Sequence, residues 1–221
     1  MFARRFPLYM DGRTQFAPTI ALLGTARRIT LDWNTLEAQA LECRKCLLAE
    51  TRNKVVFGVG SREAKIMFIG EGPGKNEDEQ GEPFVGQAGK LLDKMLLAAG
   101  FSRGENVYIA NMVKCRPPNN RDPEKTEVDA CIGWLRAQTK LLQPKIIVCL
   151  GRVAAQHIIS PDFKVTQQHG QMIQRAGTYL MGTFHPAAIL RNPNNKEAAY
   201  ADLLKARDFL EELAGQQSPE V

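Results

Sequence analysis

Five cysteines are present, and four of them are placed to ligate one metal centre. Cys43 and Cys46 form a Cys-x-x-Cys pair near the end of a helical pattern, Cys115 lies in a loop, and Cys131 follows one helical segment later. Zinc and an iron–sulfur cluster both accept four thiolates, and spacing alone does not separate them. Fifteen residues split the second pair, which suits a centre pinning a loop and a helix to the N-terminal helix better than a zinc ribbon with two short knuckles. Buried free thiols, or two disulfides in a secreted chain, are the bland alternatives. Cys149 sits inside the apolar run KIIVCL and reads as a small core hydrophobe.

These side chains need elements to hold them. Asp32 or Asn34 caps a helix marked by Leu36, Ala40, Leu41 and Leu47, which carries Cys43 and Cys46 near its end. Residues 64–70 (AKIMFIG) read as a buried strand followed by a charged, glycine-rich loop over 71–81, and residues 89–99 as a helix stopped by Gly100. A second strand spans 107–110, and residues 111–123 form a long loop containing Pro117, Pro118, Asn119 and Asn120. Pro123 opens a helix whose buried face is Val128, Ile132, Leu135 and Leu142, and Pro144 ends it. Strand 145–150, helix 151–159, strand 179–184 and an amphipathic helix over 195–213 complete the pattern. Strands alternating with helices imply an α/β fold, a three-layer α/β/α sandwich on a central, mostly parallel four-stranded sheet. The distinctive loops 71–86, 111–121 and 185–191 all follow strands, so they converge on the sheet's carboxyl edge, where such folds bind ligands.

Composition narrows the classes. The chain has 221 residues, 44% hydrophobic and 24% charged, enough for a proper core and without repeat or low-complexity signature. No apolar run approaches the ~20 residues of a membrane-spanning helix. Lys and Arg total 29 against 24 Asp and Glu, a net +5 compatible with a polyanionic partner. Most of that excess lies in residues 1–31, where Arg4, Arg5, Arg13, Arg27 and Arg28 face Asp11 alone. We read this segment as a basic arm, with organellar targeting as the weaker alternative. Residues 70–75 do not make a P-loop, which needs four residues between its glycines and Ser or Thr after the Lys; here there are three, and Asn76.

The loops read Gly70-Glu71-Gly72-Pro73-Gly74, Glu77-Asp78, Pro83-Phe84-Val85-Gly86, Ala88-Gly89-Lys90-Leu91-Leu92, Asn111-Met112-Val113-Lys114-Cys115-Arg116-Pro117-Pro118 and His185-Pro186-Ala187-Ala188. With these motifs, residues 36–213 resemble the iron–sulfur uracil-DNA glycosylases, family 4 of the uracil-DNA glycosylase superfamily. The resemblance implies a domain over 32–213, a C-terminal tail over 214–221, a 4Fe-4S cluster on Cys43, Cys46, Cys115 and Cys131, and uracil-containing DNA as substrate for a monomer in a reducing, cytoplasmic compartment.

It also implies roles. Phe84 would be the platform for a flipped ring, and Asn111 the base reader, accepting from uracil N3–H and donating to O4, where cytosine offers the opposite pattern. His185 would meet uracil O2, where negative charge develops as the glycosidic bond breaks. Glu71 and Glu77 would order water, stabilise the cationic sugar or close the pocket, without individual assignment. Gly72 stands where related glycosylases carry Asp, which weakens a general-base scheme, and the backbone N–H groups of residues 71–74 could support the base edge. Ile189 and Leu190 would wedge into the vacated stack, and Arg191 would contact a phosphate. His157 and His169 lack a motif and read as surface or structural residues. No basic run accompanies His157, so turnover is expected in place of covalent capture of the abasic sugar. The competing class is a non-catalytic, metal-stabilised DNA-binding module, which leaves Asn111 and His185 without a purpose.

Overall fold

The most hydrophobic short runs of the sequence form the middle of a six-stranded sheet. The structure, a computed structural model, describes residues 32–216; the basic arm and the last five residues lie outside them. The strands are β1 (Val59–Gly60), β2 (Ile66–Gly70), β3 (Val107–Asn111), β4 (Ile146–Leu150), β5 (Ile173–Arg175) and β6 (Thr178–Thr183), in spatial order β1-β3-β2-β4-β6-β5. The four expected strands, β2, β3, β4 and β6, pair in parallel. The other two are antiparallel edges, β1 on β3 and β5 on β6, so the count of four is corrected to six.

Every residue of β2, β3 and β4 is buried, because helices cover both faces. Alternate side chains face opposite layers. Met67, Ile69, Tyr108, Ala110, Ile147 and Cys149 join the core beneath α1 (Trp33–Leu41), α5 (Lys125–Leu142) and α6 (Arg152–Ile158). Ile66, Phe68, Val107, Ile109, Ile146 and Val148 pack on the other side, under α4 (Gln87–Ala98), α8 (Pro186–Arg191) and α9 (Lys196–Gly215). Three short helices, α2 (Leu48–Thr51), α3 (Lys75–Gln80) and α7 (Val165–Gln168), lie in the connections. Cys149 is a fully buried core residue.

Helix boundaries differ from the sequence reading in ways that matter to the site. Asp32 does cap α1, accepting from the N–H groups of Asn34 and Thr35, but that helix ends at Leu41. Cys43 and Cys46 therefore lie in the turn beyond it, where the two thiols are free of helical geometry. The loop after β2 contains α3, whose buried Asp78 accepts from Asn53 N at 3.0 Å and Asn53 Nδ2 at 2.6 Å. Helix α5 begins at Lys125, capped reciprocally by Glu124 and Glu127, and Gln143 closes it in the left-handed region before Pro144. Helix α9 runs to Gly215, two residues past the expected domain end.

Candidate active site and metal centre

From β2 the chain turns to β3 on one side; from β3 it crosses over β2 to reach β4 on the other. This reversal places a crevice beyond the carboxyl ends of β2 and β4, the usual ligand position in such sheets. There the structure has a cleft of about 610 Å³, lined from all three loops by Glu71, Gly72, Phe84, Asn111, His185 and Arg191 among others.

Asn111 ends β3 opposite Gly70, the last residue of β2. Its side chain is 1% exposed, and Oδ1 has no hydrogen-bond partner among the described residues. A buried amide oxygen without a partner costs about 1–3 kcal/mol, so a ligand donor is the natural complement. Gly70 makes the room: a Cβ there would stand 2.4 Å from Asn111 Oδ1 and 2.5 Å from the tip of the Phe84 ring. The carboxamide and the aromatic face thus close over the same bare backbone.

Phe84 holds a positive φ of 56°, unusual for a bulky residue, and the surroundings enforce it. Arg103 donates to the carbonyls of Pro83 at 2.7 Å and Phe84 at 2.9 Å while paired with Asp93. Gly89 is obligatory, since a Cβ there would fall 1.8 Å from the Phe84 carbonyl oxygen. Glu77 accepts from the N–H groups of Val85 at 2.9 Å and Gly86 at 2.8 Å, satisfying donors that open α4. This carboxylate, read from sequence as catalytic, braces the loop that carries Phe84.

The His185 ring lies 5.6 Å from Phe84 between centroids. Its Nδ1 accepts from Ala187 N at 3.1 Å, so in the neutral imidazole Nε2 carries the proton. Burial, aided by the Arg191 charge, lowers its pKa to about 4, which keeps it neutral at physiological pH. Gly151, at φ +89°, lets the chain after β4 pass close, because a Cβ would stand 2.7 Å from His185 Cβ.

Glu71 follows β2 at the cleft wall. Burial and the neighbouring Asp122 carboxylate push it up to about 7, against the opposing charge of Arg152. Arg152 and Asp122 form an ion pair joining the loops after β4 and β3. Sequence reasoning missed this pair; Arg152 carried one signal, its position immediately after the strand-end glycine.

The wedge assignment divides. Ile189 is 2% exposed and packs into the core with α9, so it is not a free wedge. Leu190 is 49% exposed, and Arg191 lines the cleft. His169 is half-buried and pairs with Asp202, and His157 is an exposed residue that bonds the Val153 carbonyl; neither lines the cleft.

Cys43, Cys46, Cys115 and Cys131 line one small cavity between the N-terminal segment, the loop after β3 and α5. Three sulfurs accept N–H donors: Cys43 from Trp134 Nε1 at 3.3 Å, Cys115 from Arg52 at 3.4 Å and Cys131 from Lys114 N at 3.2 Å. Donors of this kind favour thiolates; without a metal, burial, aided by the nearby Cys131 and Cys46, outweighs Arg52 and holds the Cys115 thiol up at about 11. The four residues therefore fit a thiolate-bound centre, which would displace their protons. Among the described residues, no three His, Cys, Asp or Glu side chains are grouped to hold one metal ion.

Comparison with known proteins identifies the family. The family model of the Uracil DNA glycosylase superfamily matches residues 57–206. A type-4 uracil-DNA glycosylase of Archaeoglobus fulgidus is 44% identical over 189 residues, covering 82% of this chain and 92% of the relative. That of Thermotoga maritima is 42% identical over 173 residues, 76% of this chain and 90% of its own. A third, from Sulfurisphaera tokodaii, is 41% identical over 182 residues, 79% of this chain and 83% of the relative. Matched over most of its length at 41–44% identity to these enzymes, the chain belongs to the type-4 group of the uracil-DNA glycosylase superfamily.

Proposed function

We propose that the protein excises uracil from DNA by hydrolysing the N-glycosidic bond, leaving an abasic site. The observation that carries this reading is the unpartnered Asn111 Oδ1, buried at the cleft wall beside Phe84. Uracil N3–H supplies the missing donor, and cytosine, with an acceptor at N3, would leave that oxygen unpaired. Sites of this kind reject the wrong analogue by factors on the order of 10⁴.

A base within the duplex is out of reach, so deoxyuridine is flipped into the cleft at a cost of a few kcal/mol. Leu190 fills the vacated stack, and Arg191 steadies the phosphates. Phe84 stacks on the flipped ring. As the C1′–N1 bond breaks, its electron pair moves onto uracil; the Nε2–H of neutral His185 donates to O2 where that charge gathers. The ionised Glu71 carboxylate stabilises the cationic sugar until water attacks C1′. Glu77 keeps Phe84 in place.

Cys43, Cys46, Cys115 and Cys131 would hold a 4Fe-4S cluster. Held there, such a group would tie the N-terminal segment and the loop after β3 to α5, a structural part that calls for a reducing compartment. The protein acts as a monomer.

Incubation with a single-uracil oligonucleotide followed by alkali is expected to give scission at the uracil position, and none with cytosine or thymine there. Retained DNA affinity without scission would establish the non-catalytic module instead.

A further inference from the structure

Beneath the Asn111 backbone lies a lysine that the proposed chemistry does not use. Lys114 is 2% exposed, and its ammonium donates to the Asn111 carbonyl at 3.1 Å and to Gln138 Oε1 at 2.6 Å. Gln138, fully buried on α5, donates in turn to the Phe57 carbonyl at 2.9 Å and the Tyr108 hydroxyl at 3.1 Å. The same lysine's backbone N–H donates to Cys131 Sγ, and its carbonyl accepts from Val56 N at 2.8 Å.

We propose that Lys114 is a positioning residue for base recognition, fixing the Asn111 backbone so that its carboxamide meets the uracil edge, and linking that residue to a ligand of the metal centre. This rests on the reading of Asn111 given above. Taking an ammonium out of water is costly, and a methionine of similar volume would pack among these apolar neighbours at less expense. What methionine would not do is hold the carbonyl of Asn111, the last rung of β3. Among the described residues nothing donates to Asn111 Oδ1, so its direction is inherited from its backbone. An error of 1 Å in such a group can cost on the order of 10² in rate. The ammonium is anchored at its far side by Gln138, which is itself bonded to the Phe57 segment and back to β3 at Tyr108, so the loop after β3, α5 and the Phe57 segment together determine where Asn111 stands.

The test is a double-mutant cycle in the full chain carrying its metal centre, with Lys114→Met, Asn111→Ala and their combination. Single-turnover excision by Lys114→Met is expected to fall by about tenfold or more, with affinity for uracil-containing DNA changed by less than about twofold. Binding of free uracil should weaken by a similar factor of about ten, while visible absorption per protein stays at its starting value. On the Asn111→Ala background the lysine substitution should cost less than about twofold, because its effect runs through Asn111. Unchanged excision by Lys114→Met, or losses that simply multiply, would overturn the proposal. If Asn111→Ala itself excises normally, the reading of Asn111 fails instead. If Lys114→Met does not fold, Gln138→Leu takes its place. It frees the far anchor without touching cleft or thiols, and the same cycle then decides, with a smaller loss of excision that again disappears beside Asn111→Ala.

Discussion

The rings of Phe84 and His185 stand 5.6 Å apart between centroids, tilted by 35° to each other. Neither holds the other. Phe84 is fixed through its carbonyl by Arg103, and His185 through its Nδ1 by the Ala187 N–H. A flat base entering the cleft therefore meets two planes set in advance by backbone contacts, which spares the reaction the entropy of arranging them.

Gly70→Ala should disable the pocket from below. The new Cβ would crowd both Asn111 Oδ1 and the Phe84 ring, and neither can retreat far. We expect excision to fall on the order of 10², with the variant still folded, as single-turnover kinetics and thermal unfolding would show. Full activity would mean that the two side chains do not meet the base together.

The pH profile should carry the mark of Glu71. Its raised pKa of about 7 leaves it largely neutral in mild acid, so excision should rise with pH through that value as the carboxylate forms. Glu71→Gln should lower the rate and remove the inflection. His185, held down to about 4, should add no inflection of its own between pH 5 and 6, where the rise belongs to Glu71. Its effect is on stability instead: a histidine depressed below its ordinary value of 6.5 stabilises the fold above that pH, and this contribution is lost as pH falls toward 4. Denaturant unfolding across that window, compared with His185→Gln, checks the sign.

Ile189→Ala and Leu190→Ala should separate cleanly. Truncating buried Ile189 should cost about 2–5 kcal/mol of stability. Truncating exposed Leu190 should leave stability within about 0.5 kcal/mol but slow excision from duplex DNA more than from single strands, where no stack must be filled.

Arg103→Met should cost more activity than stability. The positive φ of Phe84 stores about 1–3 kcal/mol that the guanidinium helps to contain. Its loss lets the platform relax away from the base, with an expected fall of about tenfold in kcat/KM.

Replacing Cys115 with Ser should abolish visible absorption and lower the unfolding temperature, because the loop after β3 loses its tie to the N-terminal segment. Colourless protein containing one zinc per chain before the substitution would rule out the iron–sulfur assignment.

Much of this was legible in the chain. Parallel strands, both helical layers and the convergence of the three loops followed from apolar runs and their glycine ends. The edge strands were not, since Val59–Gly60 and Ile173–Arg175 are too short and too mixed to show alternation. Helix α3 was hidden because its sequence, KNEDEQ, buries only Asp78. The separate parts of Glu71 and Glu77 were also invisible. One carboxylate meets backbone N–H groups eight and nine residues on, the other a carboxylate from a distant loop, and both partnerships exist only after folding. Ile189 and Leu190 look alike in sequence; the turn of α8 alone decides which is covered.

Gly70 and Asn111 are the final rung of the ladder between β2 and β3. A slip of one residue between these strands would swing the asparagine to the opposite face, so base choice is sheltered by the register of two fully buried parallel strands. Drift in the outer loops would accordingly alter the grip on DNA well before it altered which letter is removed.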